Sequence, residues 1–230
     1  MCFMEIIIDG INFCLHADTR TAEVIKNQCK YEGDITIPSC ITHNSVKYGV
    51  TSIGDEAFFQ CSALTSITIP DTVTSIGHYA FKNCSALNAI IIPNSVMSIG
   101  KETFSHCSAL TSIVWNARKY KNFYSSYDNP FCNIRSQITS FAFGDSVEHI
   151  PAHLCNGMNN LTSVTIPISV TSIADWAFQN CSVLTSITIP ERVTSIGEYS
   201  FNGCTALTSI IIIGKLKSPL LQNERCIFLN

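Results

Sequence analysis

The sequence predicts a solenoid of 23-residue rungs. Each rung carries one short parallel β-strand and short 3₁₀ or helical turns, and a β-hairpin or meander closes the N-terminal end. Two observations predict it. The phrase "CSALTSITIP" at residues 61–70 returns as "CSALNAIIIP" at 84–93 and starts again at Cys107. The leucine of that phrase falls at Leu64, Leu87 and Leu110, then at Leu161, Leu184 and Leu207, in steps of 23. A repeat of this length is the signature of an array in which each unit buries its apolar face against the next.

Each unit follows one pattern. Leu64, Ile67 and Ile69 are spaced three and then two apart, as in a chain that enters a strand and runs along it with one face buried. Pro70 has no N–H and ends the ladder. Val73 and Ile76 form a second inward segment, Gly77 permits the turn after it, and Ala80-Phe81 closes the rung with the short turn. "ITIP" at residues 35–38 is an earlier copy of the strand phrase, set off by nine extra residues that include "THNSVKYG", a small hairpin around Asn44 and Ser45. Eight strand phrases result, a rod of about 35–40 Å at the spacing of paired strands. Cys61, Cys84, Cys107, Cys181 and Cys204 share one slot, three before the leucine. Stacked in parallel they are poorly aimed for a disulfide and read as small core residues; Arg135 and Met158 hold the same slot in the middle rungs.

The ends and the middle depart from the pattern. Residues 1–33 alternate apolar and polar around Asp9-Gly10, a hairpin signal, and read as a β cap over the first rung. The solenoid covers residues 34–213. Residues 214–230 lose the pattern and read as a cap or a truncated rung. Ile138 fills the marker slot 23 before Leu161, so five extra residues lie between Leu110 and Ile138, placed near 116–124. Trp115 and Phe143 replace strand isoleucines there. Cys132 and Cys155 take the phenylalanine slot while Phe131 and Leu154 take the alanine slot, an exchange of large and small that conserves volume. Counting back from Ile138 puts Tyr124 and Tyr127 in the valine and isoleucine slots, which leaves Arg118, Lys119, Tyr120, Lys121 and Phe123 to project from the loop.

At this point the phrase "VTSIGHYAFKNCSALNAIIIP" resembles the BspA-like, or treponemal-type, leucine-rich repeat of bacterial surface proteins, over residues 35–213. The resemblance implies a curved leucine-rich-repeat solenoid, surface-exposed or secreted, that adheres to host proteins or other cells. It implies neither catalytic residues nor a cofactor. The first residues, "MCFMEIIIDG", carry no basic, long apolar or small-residue cleavage region of a signal peptide.

Composition bounds the partners. Net charge is −3, pI about 6.0, and charged residues make up 13% of the chain against the roughly 25% of ordinary domains. That balance offers no footprint for nucleic acid, and no apolar run reaches the roughly 20 residues of a membrane-spanning helix. Loops inserted into repeat arrays are frequent binding faces, so Arg118, Lys119, Tyr120, Lys121 and Phe123 are candidate partner-binding residues. Thr162, Thr165, Thr185 and Thr188 belong to a Thr/Ser row on the outward strand face, which can hydrogen-bond a protein or glycan or simply face water. Trp176 and Tyr199 share an outward slot eight before the leucine, in adjacent rungs, where aromatic side chains suit an interface. His149 and His153 have i, i+4 spacing, but Pro151 disfavours the helix that would pair them on a metal. No acid–base pair, nucleophile–base arrangement or phosphate loop is legible. The expectation is a non-catalytic recognition module for a protein or glycan on a host or neighbouring cell. The alternatives are a self-assembling spacer and an intracellular interaction scaffold, and the oligomeric state is open.

Overall fold

The computed structural model describes residues 4–213; the expected cap or truncated rung at 214–230 lies outside the described residues. Each regular rung has three sides. The strand phrase forms one, in parallel pairs such as Gly33–Thr36 with Leu64–Thr68 and Ser186–Ile189 with Ser209–Ile212. The "SI" dipeptide after the proline forms the second, where Val46–Ile53, Ser75–Ile76 and Ser98–Ile99 pair in register. The Ala-Phe turn forms the third. There, turns of 3₁₀ reach follow one another (Phe59 N–H to Glu56 O, Cys61 N–H to Phe58 O), but positive φ at Glu56 and Gln60 keeps them from propagating as a helix. Alternate N–H groups of the turn donate to the next rung instead: Glu56 to His78 O, Phe58 to Ala80 O and Gln60 to Lys82 O.

The first three strands, Met4–Ile8, Ile11–His16 and Thr21–Val24, form an antiparallel meander. It turns at Asp9 and Gly10, both with positive φ, and its third strand pairs in parallel with Val46–Ile53. The meander thus extends the "SI" side of the rod and not the strand-phrase side. Cys40–His43 folds back on Val46–Ile53 through Asn44 and Ser45, both left-handed, the hairpin read from the sequence.

Columns of like residues hold the rungs together. Phe58, Phe81 and Phe104 stack with centroids 5.1 and 5.4 Å apart and planes within 9°. The column cysteines are buried and free, and the Cys84, Cys107 and Cys204 thiols donate to the Phe58, Phe81 and Phe178 carbonyls at 3.0–3.1 Å. Burial pushes the Cys107 thiol up to about 12. A Cβ on Gly77 would come within 2.5 Å of the Asp55 backbone nitrogen, so the rungs approach closely there. Beside it Asp55 Oδ1 accepts from His78 N–H at 2.6 Å and His78 Nδ1 from Lys101 N–H at 2.8 Å.

The middle rungs correct the sequence reading. Phe131, not Cys132, continues the phenylalanine column, 5.2 Å from Phe104 with planes 12° apart; Cys132 sits half-exposed. Tyr120 and Phe123 take the slots of Val73 and Ile76, and Ile134 takes the cysteine slot, all buried. The five extra residues are therefore dispersed: one before Tyr120, three between Phe123 and Phe131, and one between Ile134 and Ile138. The last is absorbed by the 3₁₀ turn Arg135–Gln137.

In the next rung Cys155 does hold the column slot, and the space is filled from the side. Phe141 meets Phe131 at 6.4 Å, Phe143 meets Phe141 at 5.1 Å, and Phe143 reaches Phe178 at 6.3 Å in the adjacent rung. Beyond this rung, residues 162–166 form no strand. The strand-phrase side divides into Gly33–Thr36/Leu64–Thr68, a central sheet of Ala89–Ile92, Ser112–Trp115 and Ser140–Phe143, and a last pair.

Candidate functional site

Tyr120 and Phe123, expected to project, are 6% and 7% exposed. Tyr120 packs edge-on against Trp115 at 5.1 Å and lies 5.2 Å from Phe123. Its hydroxyl accepts from Ile99 N–H at 2.8 Å, which terminates the "SI" ladder where the insertion interrupts it. Neither ring can meet a partner without opening the core. Tyr124 and Tyr127, expected inside, are instead 98% and 78% exposed.

The loop around those tyrosines is pinned at several points. Asn122 Oδ1 accepts from Ala152 N–H at 3.0 Å and meets His149 Nε2 at 2.8 Å. Asn129, buried, donates to the His153 and Leu154 carbonyls at 2.7 Å and accepts from Phe131 N–H at 2.8 Å. Ser125 donates to Asp128 at 3.0 Å, and Lys101 lies 3.9 Å from the same carboxylate. Arg118 and Lys119 are exposed and both pair with Glu148. Their hydrogen bonds hold the Glu148 carboxyl below the usual range. Lys121 is exposed, with no ion pair among the described residues.

The other candidates lie further along the rod. Thr162, Thr165, Thr185 and Thr188 are exposed; Thr188 lies in a strand, whereas Thr162 and Thr165 lie in the unpaired segment. The hydroxyl row also includes Thr65 and Ser66, which donate to Asp34 at 2.8 and 2.6 Å and hold that carboxyl below its usual range. Trp176 is half-buried and Tyr199 exposed; their rings stack 6.1 Å apart and 7° from parallel. His153 joins this deck 4.9 Å from Trp176, while His149 Nδ1 bonds Ser172 Oγ at 2.7 Å, so the two imidazoles have separate partners. Asn156, Gln179 and Asn202 run beside the deck as a ladder of side-chain amides.

Two other groups have chemical potential. Cys14, His16 and Glu23 bring ligand atoms within 4.8 Å of one another, but Cys14 is disulfide-bonded and has no thiolate to offer a metal. A groove of about 590 Å³ runs along the glycine column Gly54, Gly77 and Gly100. Among the described residues no helix is long and apolar enough to cross a membrane.

Stacked parallel rungs, buried columns and a pinned loop define a leucine-rich-repeat solenoid. The family model for the BspA type leucine rich repeat region matches in six copies, over residues 37–151 and 124–220, and the chain belongs to that family. A leucine rich cell surface protein from Faecalibacterium prausnitzii A2-165 is 32% identical, with a TM-score of 0.63 over 92% of this chain and 55% of its own. A leucine-rich repeat protein from Bacteroides ovatus ATCC 8483 is 30% identical, with a TM-score of 0.59 over 89% of this chain and 52% of its own. The chain thus spans about half the length of these two relatives. The T. pallidum leucine rich repeat protein shares the fold, at 24% identity and a TM-score of 0.62 over 89% of this chain and 91% of its own. No curated protein matches the chain in sequence.

Proposed function

We propose that the chain is a non-catalytic recognition module, displayed at a bacterial cell surface, that binds a protein or glycan of a host or neighbouring cell through the tip of its inserted loop. The observation that carries this reading is the near-complete exposure of Tyr124 and Tyr127 on a loop whose base is fixed by Asn122 and Asn129. Exposed aromatic side chains on a pre-ordered segment have large contact area and little rotamer freedom to lose, which is the chemistry of interface anchors. Just before them in the chain, Arg118 and Lys119 are exposed but paired with Glu148, and Lys121 is exposed with no ion pair among the described residues. The exposed threonines and the Trp176–Tyr199 deck lie further along the rod and extend the available surface. The description of the F. prausnitzii relative as a cell surface protein supports the location.

The test is a binding screen of the purified chain against arrayed extracellular-matrix proteins and glycans, with Tyr124→Ala/Tyr127→Ala beside it. The expected outcome is a ligand whose binding falls at least tenfold in the double variant while melting is unchanged. A ligand retained by the variant would move recognition off the loop. No ligand at all, together with a mass that rises with concentration, would favour self-assembly.

A further inference from the structure

Where the "SI" side meets the Ala-Phe turn, Gly54, Gly77 and Gly100 follow one another along a groove, one per rung. The floor is bare backbone whose hydrogen bonds are already spent. The Gly54, Gly77 and Gly100 N–H groups donate to the Val24, Ile53 and Ile76 carbonyls at 2.8 Å. Thr103 Oγ1 lies 3.2 and 2.7 Å from the Gly77 and Gly100 carbonyls. Ser75 and Ser98 precede the glycines by two residues, while Asp55 and His78 follow them by one, so two rows of side chains flank the floor. Among the described residues neither serine hydroxyl has a protein partner. On the other row, Asp55 Oδ1 and His78 Nδ1 accept N–H groups of the next rung. Because Nδ1 accepts, the His78 proton sits on Nε2. Asp55 Oδ2 is therefore an unspent acceptor and His78 Nε2–H an unspent donor, on exposed residues one rung apart. A Cβ on Gly54 would meet Glu23 Oε1 at 2.7 Å, so the Glu23 carboxylate closes one end. No lysine or arginine lines the groove, and no lining residue belongs to the inserted loop.

We propose that this groove is a second binding site, separate from the loop tip, and that its ligand is a neutral, extended β-linked oligosaccharide lying along the rod. A polypeptide laid there would find no ladder to join, because the rungs cross the groove and their backbone groups pair with one another. What remains unspent is hydroxyl, carboxylate and imidazole. These suit sugar hydroxyls, which both donate and accept. They recur rung by rung, about 4.8 Å apart, close to the advance of one unit in an extended β-linked glycan, so successive sugars can repeat the same contacts. Glu23 and Asp55, with no lysine or arginine beside them, turn away sulfated, phosphorylated and uronic chains. The volume of about 590 Å³ lies within the roughly 300–1,000 Å³ of small-ligand sites. Gly54 and Gly100 are about 10 Å apart at the rung spacing, room for about two to three sugars. Further along, Pro151 and Ala174 hold the glycine place and raise the floor, which confines the site to the first rungs.

The probes are the β-1,4-linked trisaccharides of glucose, mannose and N-acetylglucosamine, with trigalacturonic acid and trilysine as charged counterparts. The readout is the backbone-amide NMR spectrum of the full chain, titrated to an apparent Kd. At least one neutral trisaccharide is expected to shift the Ser75, Gly77, His78 and Ser98 amides saturably, and trigalacturonic acid to leave them in place. Ser75→Ala/Ser98→Ala removes hydroxyls that have no protein partner, and is expected to weaken binding at least fivefold with melting unchanged. The Tyr124→Ala/Tyr127→Ala variant is expected to keep the affinity in full, so failure at the loop and failure at the groove are read separately. No shift with any of the neutral trisaccharides overturns the proposal, as does an affinity unchanged in the serine variant. Saturable binding of trilysine alone would overturn it in favour of a site for cations.

Discussion

Tyr120 and Tyr124 are four residues apart and chemically identical, yet one is core and the other is almost wholly in solvent. Tyr120-Phe123 and Tyr124-Tyr127 both have the three-residue spacing of Val73 and Ile76, so the sequence contains two registers and counting alone picked the wrong one. What decides is Trp115, whose buried indole is boxed by Tyr120, Phe123 and Phe131. Denaturant unfolding should show Phe123→Ala destabilised by about 3–5 kcal/mol. Tyr120→Phe, which orphans the Ile99 N–H, should cost about 1 kcal/mol, and Tyr124→Ala should stay within about 0.5 kcal/mol. A second prediction concerns acid. Burial holds the His149 pKa below its ordinary value. Between the ordinary and the folded values the unfolded chain binds more protons, so stability is present above about pH 6.5 and is lost as pH falls through the folded pKa. Melting temperature should drop over that window, and His149→Gln should reduce the drop, with the remainder due to His153, whose pKa burial also lowers.

At the scale of elements, the regular rungs were legible because every slot repeats, down to the proline that ends each strand and the left-handed Asn44-Ser45 turn. The broken strand at 162–166 was not, since "LTSVTIP" reads like its neighbours. The break coincides with Cys155, which leaves the phenylalanine column without a ring, and with Phe143, whose ring lies 6.3 Å from Phe178. Cys155→Phe alone should therefore overpack and destabilise by about 1–3 kcal/mol. Adding Phe143→Ile should recover that loss and restore the ladder. Amide exchange reads the outcome directly: residues 163–165 should exchange quickly in the parent chain and slowly in the double variant.

For the whole molecule, stability is shared along columns, so thiol labelling reports unfolding of the array as a unit. Cys84, Cys107, Cys155 and Cys181 are buried, and desolvation raises Cys84, Cys107 and Cys155 well above an ordinary thiol. Cys29 is exposed, and Cys40 and Cys132 are half-exposed. Among the described cysteines a thiol reagent at neutral pH should modify those three first, and the column only at the rate of global opening.

Near-identical rungs carry a hazard that the irregular middle relieves. A chain that writes "CSALTSI" at Cys61, Cys107 and, with one change, Cys181 could collapse with the wrong copies side by side, displaced by a whole unit. Trp115, Tyr120, Phe123, Phe131, Phe141 and Phe143 make a set of ring contacts that no other rung repeats, and so give the array a single landmark from which the copies on either side are numbered during folding.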